Sequence, residues 1–263
     1  MMRFLLPVAA WFSLGFLGIL WQIPLLAAAR DQVRSLPDAA EISDTGLNAL
    51  VLAPPTLLLL AAVAIGVACA DRAGLRSWLT SRLRGEARPP VSIRSLGEAL
   101  LAALAAGVVA IAVDALFRLA SPASFAAMQA PAGSWQARIG ALLYGGITEE
   151  LMLRLGLMTF LVWCGTGLLR NRSSARHGFV VVSAIVIVAI VFGLGHLPAL
   201  SAAMDPDHVA VARTVLINAM LGIVYGWLYW QRGLEHAMLA HAATHVVFWT
   251  AGPLVDGLLR GAG

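Results

Sequence analysis

GGITEELMLR, residues 145–154, places two glutamates and an arginine inside an otherwise apolar stretch of the chain. A charged side chain at the centre of a membrane helix costs about 2.5–3.5 kcal/mol on insertion scales, and such residues ordinarily serve chemistry or transport. Glu150 and Arg154 are four residues apart, so they share a helix face and can pair, whereas Glu149 points elsewhere. The unpaired Glu149 is then available as a general base that activates water. Alternatively, all three side chains form one buried ion network that fixes helix packing.

The composition around this stretch indicates an integral membrane protein. Of 263 residues, 60% are hydrophobic and only 12% are charged, with a mean hydropathy of +0.83, whereas soluble domains carry about 25% charged residues. We expect an all-α, polytopic transmembrane helical bundle that forms a single membrane domain over residues 1–263. About seven to eight membrane helices are predicted, since about 20 apolar residues span the hydrocarbon core. The apolar runs are 4–29, 47–70, 96–120, 139–169, 179–204, 210–232 and 234–258.

The charge pattern predicts orientation in a membrane and excludes a nucleic-acid partner. The net charge is +4, and every basic residue apart from histidine is an arginine. The arginines cluster in connections such as 71–95, whereas the connection 30–46 is net acidic. The positive-inside rule then predicts a cytoplasmic N-terminus. An arginine-rich chain without lysine suggests a GC-rich bacterial source, and hence the bacterial inner (plasma) membrane.

Two segments outside the site have alternative interpretations. The first apolar run resembles a signal peptide, but it is much longer than a signal core of 7–15 residues, so we favour a retained first helix. The stretch from Arg76 to Arg84 is either an interfacial amphipathic helix or a solvated basic loop. Asp114 and Arg118, four residues apart, are interpreted as a structural pair.

Histidines stand at helical spacing in two later runs. Phe192 and His196 share one helix face, and a lone membrane histidine is often a hydrogen-bond donor between helices. His241 and His245 lie one turn apart on one face. Such a pair can chelate a metal ion or donate hydrogen bonds to a developing oxyanion.

Taken in order, the three elements read Glu-Glu-x-x-x-Arg, Phe-x-x-x-His and His-x-x-x-His. This set resembles the CPBP family of intramembrane proteases, which includes the type II CAAX prenyl endopeptidases and Abi-like proteins. The resemblance covers about 139–250, the expected catalytic core, and residues 1–138 are assigned to scaffold helices.

The resemblance implies roles for individual residues. Glu149 and His196 would activate the attacking water, and His241 would stabilise the oxyanion with His245 beside it. The supporting residues would be Glu150, Arg154 and Phe192, with Arg154 holding Glu150.

One position departs from the family pattern, because His245 stands where the family usually has Asn or Asp. The set of Glu149, His196, His241 and His245 suits zinc as a metalloprotease site. We favour the mechanism without a metal, in which no cofactor is required, and keep zinc as the alternative.

The sequence therefore predicts an intramembrane endopeptidase whose partners are the lipid bilayer and a membrane-associated or lipidated polypeptide. The inferred bacterial source argues against a prenylated substrate. Two other functions use the same residues: an ion- or proton-coupled transporter, and a non-catalytic membrane scaffold or bacteriocin-immunity protein.

Overall fold

The computed structural model describes residues 1–35, 42–87, 91–125, 134–168 and 174–261. These residues form helices and no strand, which confirms the predicted helical membrane bundle. The α-helices are α1 (Met2–Leu20), α2 (Ala27–Arg34), α3 (Asp44–Cys69), α4 (Trp78–Leu83), α5 (Ile93–Ala120), α6 (Pro122–Phe125), α7 (Trp135–Gly140), α8 (Thr159–Leu168), α9 (Ser174–Gly195), α10 (Leu197–Ala203), α11 (His208–Arg232) and α12 (Leu234–Gly261). A 3₁₀ turn covers Ile23–Leu25, and two π-helical segments cover Ala141–Glu149 and Leu151–Met158.

Six helices in the described part of the chain are long and apolar enough to cross a membrane, so the protein is an integral membrane protein. They are Met2–Leu25, Asp44–Cys69, Ile93–Ala120, Trp135–Leu168, Ser174–Ala203 and His208–Arg232. The seventh predicted run, 234–258, is the 28-residue helix α12. Three histidines and Glu235 make its N-terminal half less apolar than the other six. Some charged residues of the connections between the apolar runs lie outside the described residues: Asp38, Glu41, Arg88, Arg170 and Arg172.

Two apolar runs that were expected to be continuous are interrupted. The first helix ends at Leu20, and Pro24 lies in the 3₁₀ turn that follows it. The run 179–204 breaks at His196, and Pro198 lies in the first turn of α10. Proline fixes its own φ and lacks an N–H group, so it suits the first turn of a new helix.

Capping side chains mark where several helices begin. The side-chain oxygens of Ser43, Ser77, Ser92, Ser134 and Asp207 each accept a hydrogen bond from a backbone N–H in the first turn of the next helix. Such caps satisfy N–H groups that have no partner inside the helix. Hydrogen bonds from the Ser124 hydroxyl and the Ala210 N–H also lower the pKa of Asp207 below its ordinary value.

The central π-helical segments are held by α1 and α3. A Cβ at Gly18 of α1 would lie 2.8 Å from the Leu143 carbonyl oxygen, and one at Gly66 of α3 would collide with the Leu155 carbonyl. Only glycine lets the backbones approach this closely. Helices of the predicted scaffold therefore fix the segment that carries the glutamates, while the division at residue 138 stays a prediction.

A four-charge network joins α5, α11 and α12 away from the glutamates. Asp114 pairs with Arg118 at 2.9 Å and accepts a hydrogen bond from Arg213 Nε at 2.7 Å. Arg118 also donates to Asp256 at 2.7 Å. The pair predicted at Asp114 and Arg118 is therefore part of a balanced set that ties three helices together.

The stretch 76–84 contains the short helix α4, which packs onto the bundle. The Glu235 carboxylate accepts hydrogen bonds from the Ser77 hydroxyl and the Leu79 N–H, both at 2.9 Å. The Trp11 indole donates to the Thr80 hydroxyl at 2.9 Å. These contacts fix α4 against α1 and the start of α12, and they favour the predicted amphipathic helix over a solvated loop.

Candidate active site

Glu149 and Glu150 lie where the two π-helical segments meet. A π-helix forms i→i+5 hydrogen bonds and is usually confined to a single turn, often at a functional site. Two threonine hydroxyls donate to backbone carbonyls here: Thr148 to the Gly15 carbonyl of α1 at 2.7 Å, and Thr159 to the Arg154 carbonyl of the second π-helical segment at 3.1 Å. The side chains of both glutamates are consequently presented by a backbone that differs from the expected α-helix.

Glu150 and Arg154 form a fully buried ion pair. Both side chains are 0% exposed, and Arg154 Nη1 lies 3.0 Å from Glu150 Oε1. The guanidinium also donates to the Gly222 carbonyl at 3.1 Å, and it lies over the rings of Phe192 and Tyr225. A buried arginine with an anion, a carbonyl and two aromatic faces around it is fixed in one position.

His241 connects this ion pair to Glu149. Its Nδ1 lies 2.8 Å from Glu150 Oε1, and its Nε2 lies 3.9 Å from Glu149 Oε2. As the ionised partner of Arg154, Glu150 offers only acceptors, so the His241 Nδ1–H is the donor. The side chain of Glu149 is 20% exposed, whereas that of Glu150 is fully buried.

His245 lies one turn beyond His241 with its ring nearly parallel to that of His241, the centroids 5.1 Å apart. Its Nε2 is buried and has no hydrogen-bond partner among the described residues. A Cβ at Gly145 would lie 2.6 Å from His245 Nε2 and 3.3 Å from His241 Nε2. The missing side chain of Gly145 therefore lets both imidazole rings pack directly against the backbone of the first π-helical segment.

The Phe192 ring links His196 to His241 by contacting both side chains. The His196 Nδ1–H donates to the Phe192 carbonyl at 2.8 Å, so the Nε2 of the neutral ring keeps its lone pair. The centroid of the Phe192 ring lies 4.7 Å from that of His196 and 5.6 Å from that of His241, and the rings are edge to face in both cases. Across the described contacts, no hydrogen bond or ion pair joins His196 directly to Glu149.

The arrangement does not fit the predicted zinc alternative. No three His, Cys, Asp or Glu side chains within the described ranges are placed to hold one metal ion. His241 Nε2 faces Glu149, but neither His196 nor His245 contacts that carboxylate. We therefore derive no chemical step through a metal ion.

The sequence interpretation missed four contributors to the site. Gly145 allows the close approach of His241 and His245, Tyr225 stacks on His241 with ring centroids 4.5 Å apart, and Trp249 and Arg138 continue the stack beyond His245. Trp249 continues the four-residue spacing of His241 and His245, so that pattern alone was a usable signal. Tyr225 and Arg138 carry no such signal.

An apolar cavity of about 500 Å³ adjoins the site. Its walls come from α1, α4, the first π-helical segment and α12, and include Trp11, Trp78, Leu143, Gly146 and Ala242. Gly146 directly follows Gly145, and Ala242 directly follows His241. The cavity therefore borders the two helical segments that carry Glu149 and His241.

The family model described as type II CAAX prenyl endopeptidase Rce1-like matches residues 131–247, which confirms the predicted resemblance to the CPBP family. The matched segment contains Glu149, His196, His241 and His245, so this part of the chain is similar to the CAAX-type intramembrane proteases. No curated protein and no solved structure matches the chain.

Proposed function

We propose that this Rce1-like membrane protein is an endopeptidase in which Glu149 and His196 activate water and His241 and His245 stabilise the oxyanion. The observation that carries the proposal is His241 itself, which donates to the buried Glu150 and places Nε2 3.9 Å from Glu149. A general base beside a positioned hydrogen-bond donor is what water attack on an amide carbonyl requires.

Charge balance supports the assignment of roles. Glu149, Glu150 and Arg154 carry a net charge of −1 when all three are ionised, so one additional proton makes the buried group neutral. A neutral group is far cheaper to bury than a charged one. We place this proton on His241, which lies 2.8 Å from Glu150 Oε1 and 3.9 Å from Glu149 Oε2. The site is then neutral, Glu149 is a free base, and His241 Nε2–H is a donor.

The reaction can then be described with proton transfers among water, substrate and these side chains. The water oxygen bonds to the carbonyl carbon while its proton moves to Glu149, and the carbonyl π electrons move to oxygen. Protonated His241 donates to that oxyanion. Glu149 next gives its proton to the amide nitrogen as the carbon–nitrogen bond breaks, which leaves a carboxylic acid and an amine. His196, whose Nε2 lone pair is free, is proposed to orient the water.

Gly145→Ala is expected to lower kcat by about 10²-fold, because a misplacement of about 1 Å near reacting atoms has effects of that size. The new methyl group would collide with the His245 ring, since it would lie 2.6 Å from His245 Nε2, and it would displace the two rings that are proposed to stabilise the oxyanion. The measurement is steady-state cleavage of a fluorogenic peptide. Gly167→Ala is the matched control, since nothing lies within 4 Å of a Cβ there. Equal activity of Gly145→Ala and wild type would show that the packing of these rings against Gly145 does not affect catalysis.

The apolar cavity beside the site supports a lipidated or otherwise membrane-associated polypeptide as substrate. Its lining is almost entirely hydrophobic, and burying apolar surface contributes about 25 cal/mol per Å². A chain attached to a lipid, or an apolar transmembrane segment, would bring such surface to the cavity while its peptide bond reaches Glu149.

Purified protein in lipid nanodiscs should be given a farnesylated peptide ending in a CaaX sequence, the same peptide without the lipid, and an apolar transmembrane peptide. Product masses identify the bond that is cut. Cleavage of any of the three supports the endopeptidase. Ion or proton flux in liposomes without cleavage would favour the transporter, and the absence of both would favour the scaffold or immunity protein.

We also propose that the protein lies in a bacterial inner membrane with a cytoplasmic N-terminus, because Arg72, Arg76, Arg82 and Arg84 lie together between α3 and α5. Alkaline phosphatase fused within this connection is expected to be inactive, and a green fluorescent protein fused there is expected to fluoresce. An active phosphatase at this position would reverse the proposed orientation.

A further inference from the structure

Three rings of α12 and one of α11 form a continuous stack. Ring centroids are 4.5 Å apart between Tyr225 and His241, 5.1 Å between His241 and His245, and 6.1 Å between His245 and Trp249. Each pair is close to parallel, with interplanar angles of 16°, 21° and 21°. The guanidinium of Arg138 lies 5.8 Å from the centre of the Trp249 ring and covers the outer end. We call these four rings the ring column.

The histidines of the site differ in what fixes their orientation. Hydrogen bonds hold His241 to Glu150 and His196 to the Phe192 carbonyl. The His245 ring, in contrast, makes no hydrogen bond within the described part of the chain, and its Nε2 is buried. Its orientation therefore depends on packing: His241 and Trp249 stack on its two faces, Phe248 lies edge to face with it, and Gly145 lies next to Nε2.

We propose that Trp249 is a positioning residue, which holds the plane of the His245 ring so that Nε2 stays directed at Gly145, on the same side as His241 Nε2. Stacked aromatic pairs prefer defined offsets, so they restrict rotation about the side-chain bonds of their members. Arg138 restricts Trp249 in turn through a cation–π contact. This proposal rests on the proposed function, since it assigns a purpose to the direction of the His245 Nε2 atom.

The proposal links a departure from the family pattern to its neighbour in the helix. His245 stands where the CPBP family usually has Asn or Asp, and Trp249 follows it by one helical turn. An asparagine side chain is shorter and has no ring to stack, so it would gain nothing from a tryptophan one turn away. Dependence on Trp249 should therefore exist only when residue 245 is histidine.

A double-mutant cycle tests this dependence with the peptide that the wild type cleaves. Trp249→Leu is expected to lower kcat roughly tenfold with little change in KM, which corresponds to about 1.4 kcal/mol, and Trp249→Phe should recover most of the loss. In the His245→Asn background, the same Trp249→Leu change is expected to leave the remaining kcat unaltered. Trp227→Leu is the matched control, because Trp227 is half exposed on α11 and its ring pairs with Trp230, away from the ring column.

An equal effect of Trp249→Leu in both backgrounds would overturn the positioning role and leave only a structural one. Failure of the proposed function is distinguishable from this outcome, because wild type and Glu149→Gln would then have the same activity. In that case the positioning role fails as well.

NMR of protein with isotopically labelled histidines provides a measurement that does not depend on activity. The chain contains six histidines, so their ring resonances can be assigned by single substitutions. The ring hydrogens of His245 lie beside the Trp249 ring and should shift downfield in Trp249→Leu, whereas those of the exposed His208 should not change. Unchanged His245 resonances would show that the ring column does not determine its orientation.

Discussion

Glu149→Gln is expected to lower kcat/KM by about 10²–10⁴-fold, the range that a positioned general base contributes. Glutamine has nearly the same size, so it keeps the packing at the junction of the two π-helical segments. It cannot accept a proton from water at neutral pH, and it also removes the anion that faces His241 Nε2 at 3.9 Å. The measurement is steady-state cleavage of the wild-type substrate in lipid nanodiscs.

Glu98→Gln is the matched control for this variant. Glu98 lies on α5, pairs with Arg94 and Arg232, and is 36% exposed, so its replacement should leave cleavage unchanged. Cleavage by the wild type is expected to persist after treatment with a chelator. Loss after chelation, restored by added zinc, would contradict the metal-free mechanism, whereas full activity of Glu149→Gln would remove Glu149 from the reaction.

The polar residues of the site could be located from sequence because a charge in an apolar segment has few explanations. The pairing of Glu150 with Arg154 followed from their spacing alone, and the structure places them 3.0 Å apart. The position of His241 between the two carboxylates could not be predicted from the sequence. It depends on how α12 is rotated against the central segment, and this rotation results from contacts between residues far apart in the chain.

The π-helical segments were not predictable for a related reason. No local sequence pattern in residues 141–158 indicates a π-helix rather than an α-helix. The widening is accompanied by tertiary contacts, such as the Thr148 hydroxyl bonded to the Gly15 carbonyl and the close approach of α1 at Gly18. Similarly, the need for glycine at position 145 follows only from the close approach of the His241 and His245 rings, which belong to a helix distant in sequence.

Glu150 and Arg154 are expected to be the most important residues for stability in the site. Removing one member of a buried ion pair leaves an uncompensated charge and typically costs about 3–5 kcal/mol, whereas replacing both with neutral residues of similar size is often harmless. We therefore expect Glu150→Gln and Arg154→Met each to lower the free energy of unfolding by about this amount. The double variant should recover most of it, as measured by unfolding in mixed detergent micelles.

Cleavage by the double variant separates a structural role from a chemical one. Glu150 also accepts the Nδ1–H of His241 at 2.8 Å, and a hydrogen bond to a carboxylate is worth about 1–2 kcal/mol more than one to a neutral amide. Because protonated His241 needs that carboxylate most, the double variant should remain roughly tenfold lower in kcat despite its restored stability. Full recovery of kcat would mean that Glu150 acts only through the fold. A persistent deficit means that the buried ion pair has two separable functions, since Arg154 makes Glu150 an anion and Glu150 in turn stabilises the proton on His241.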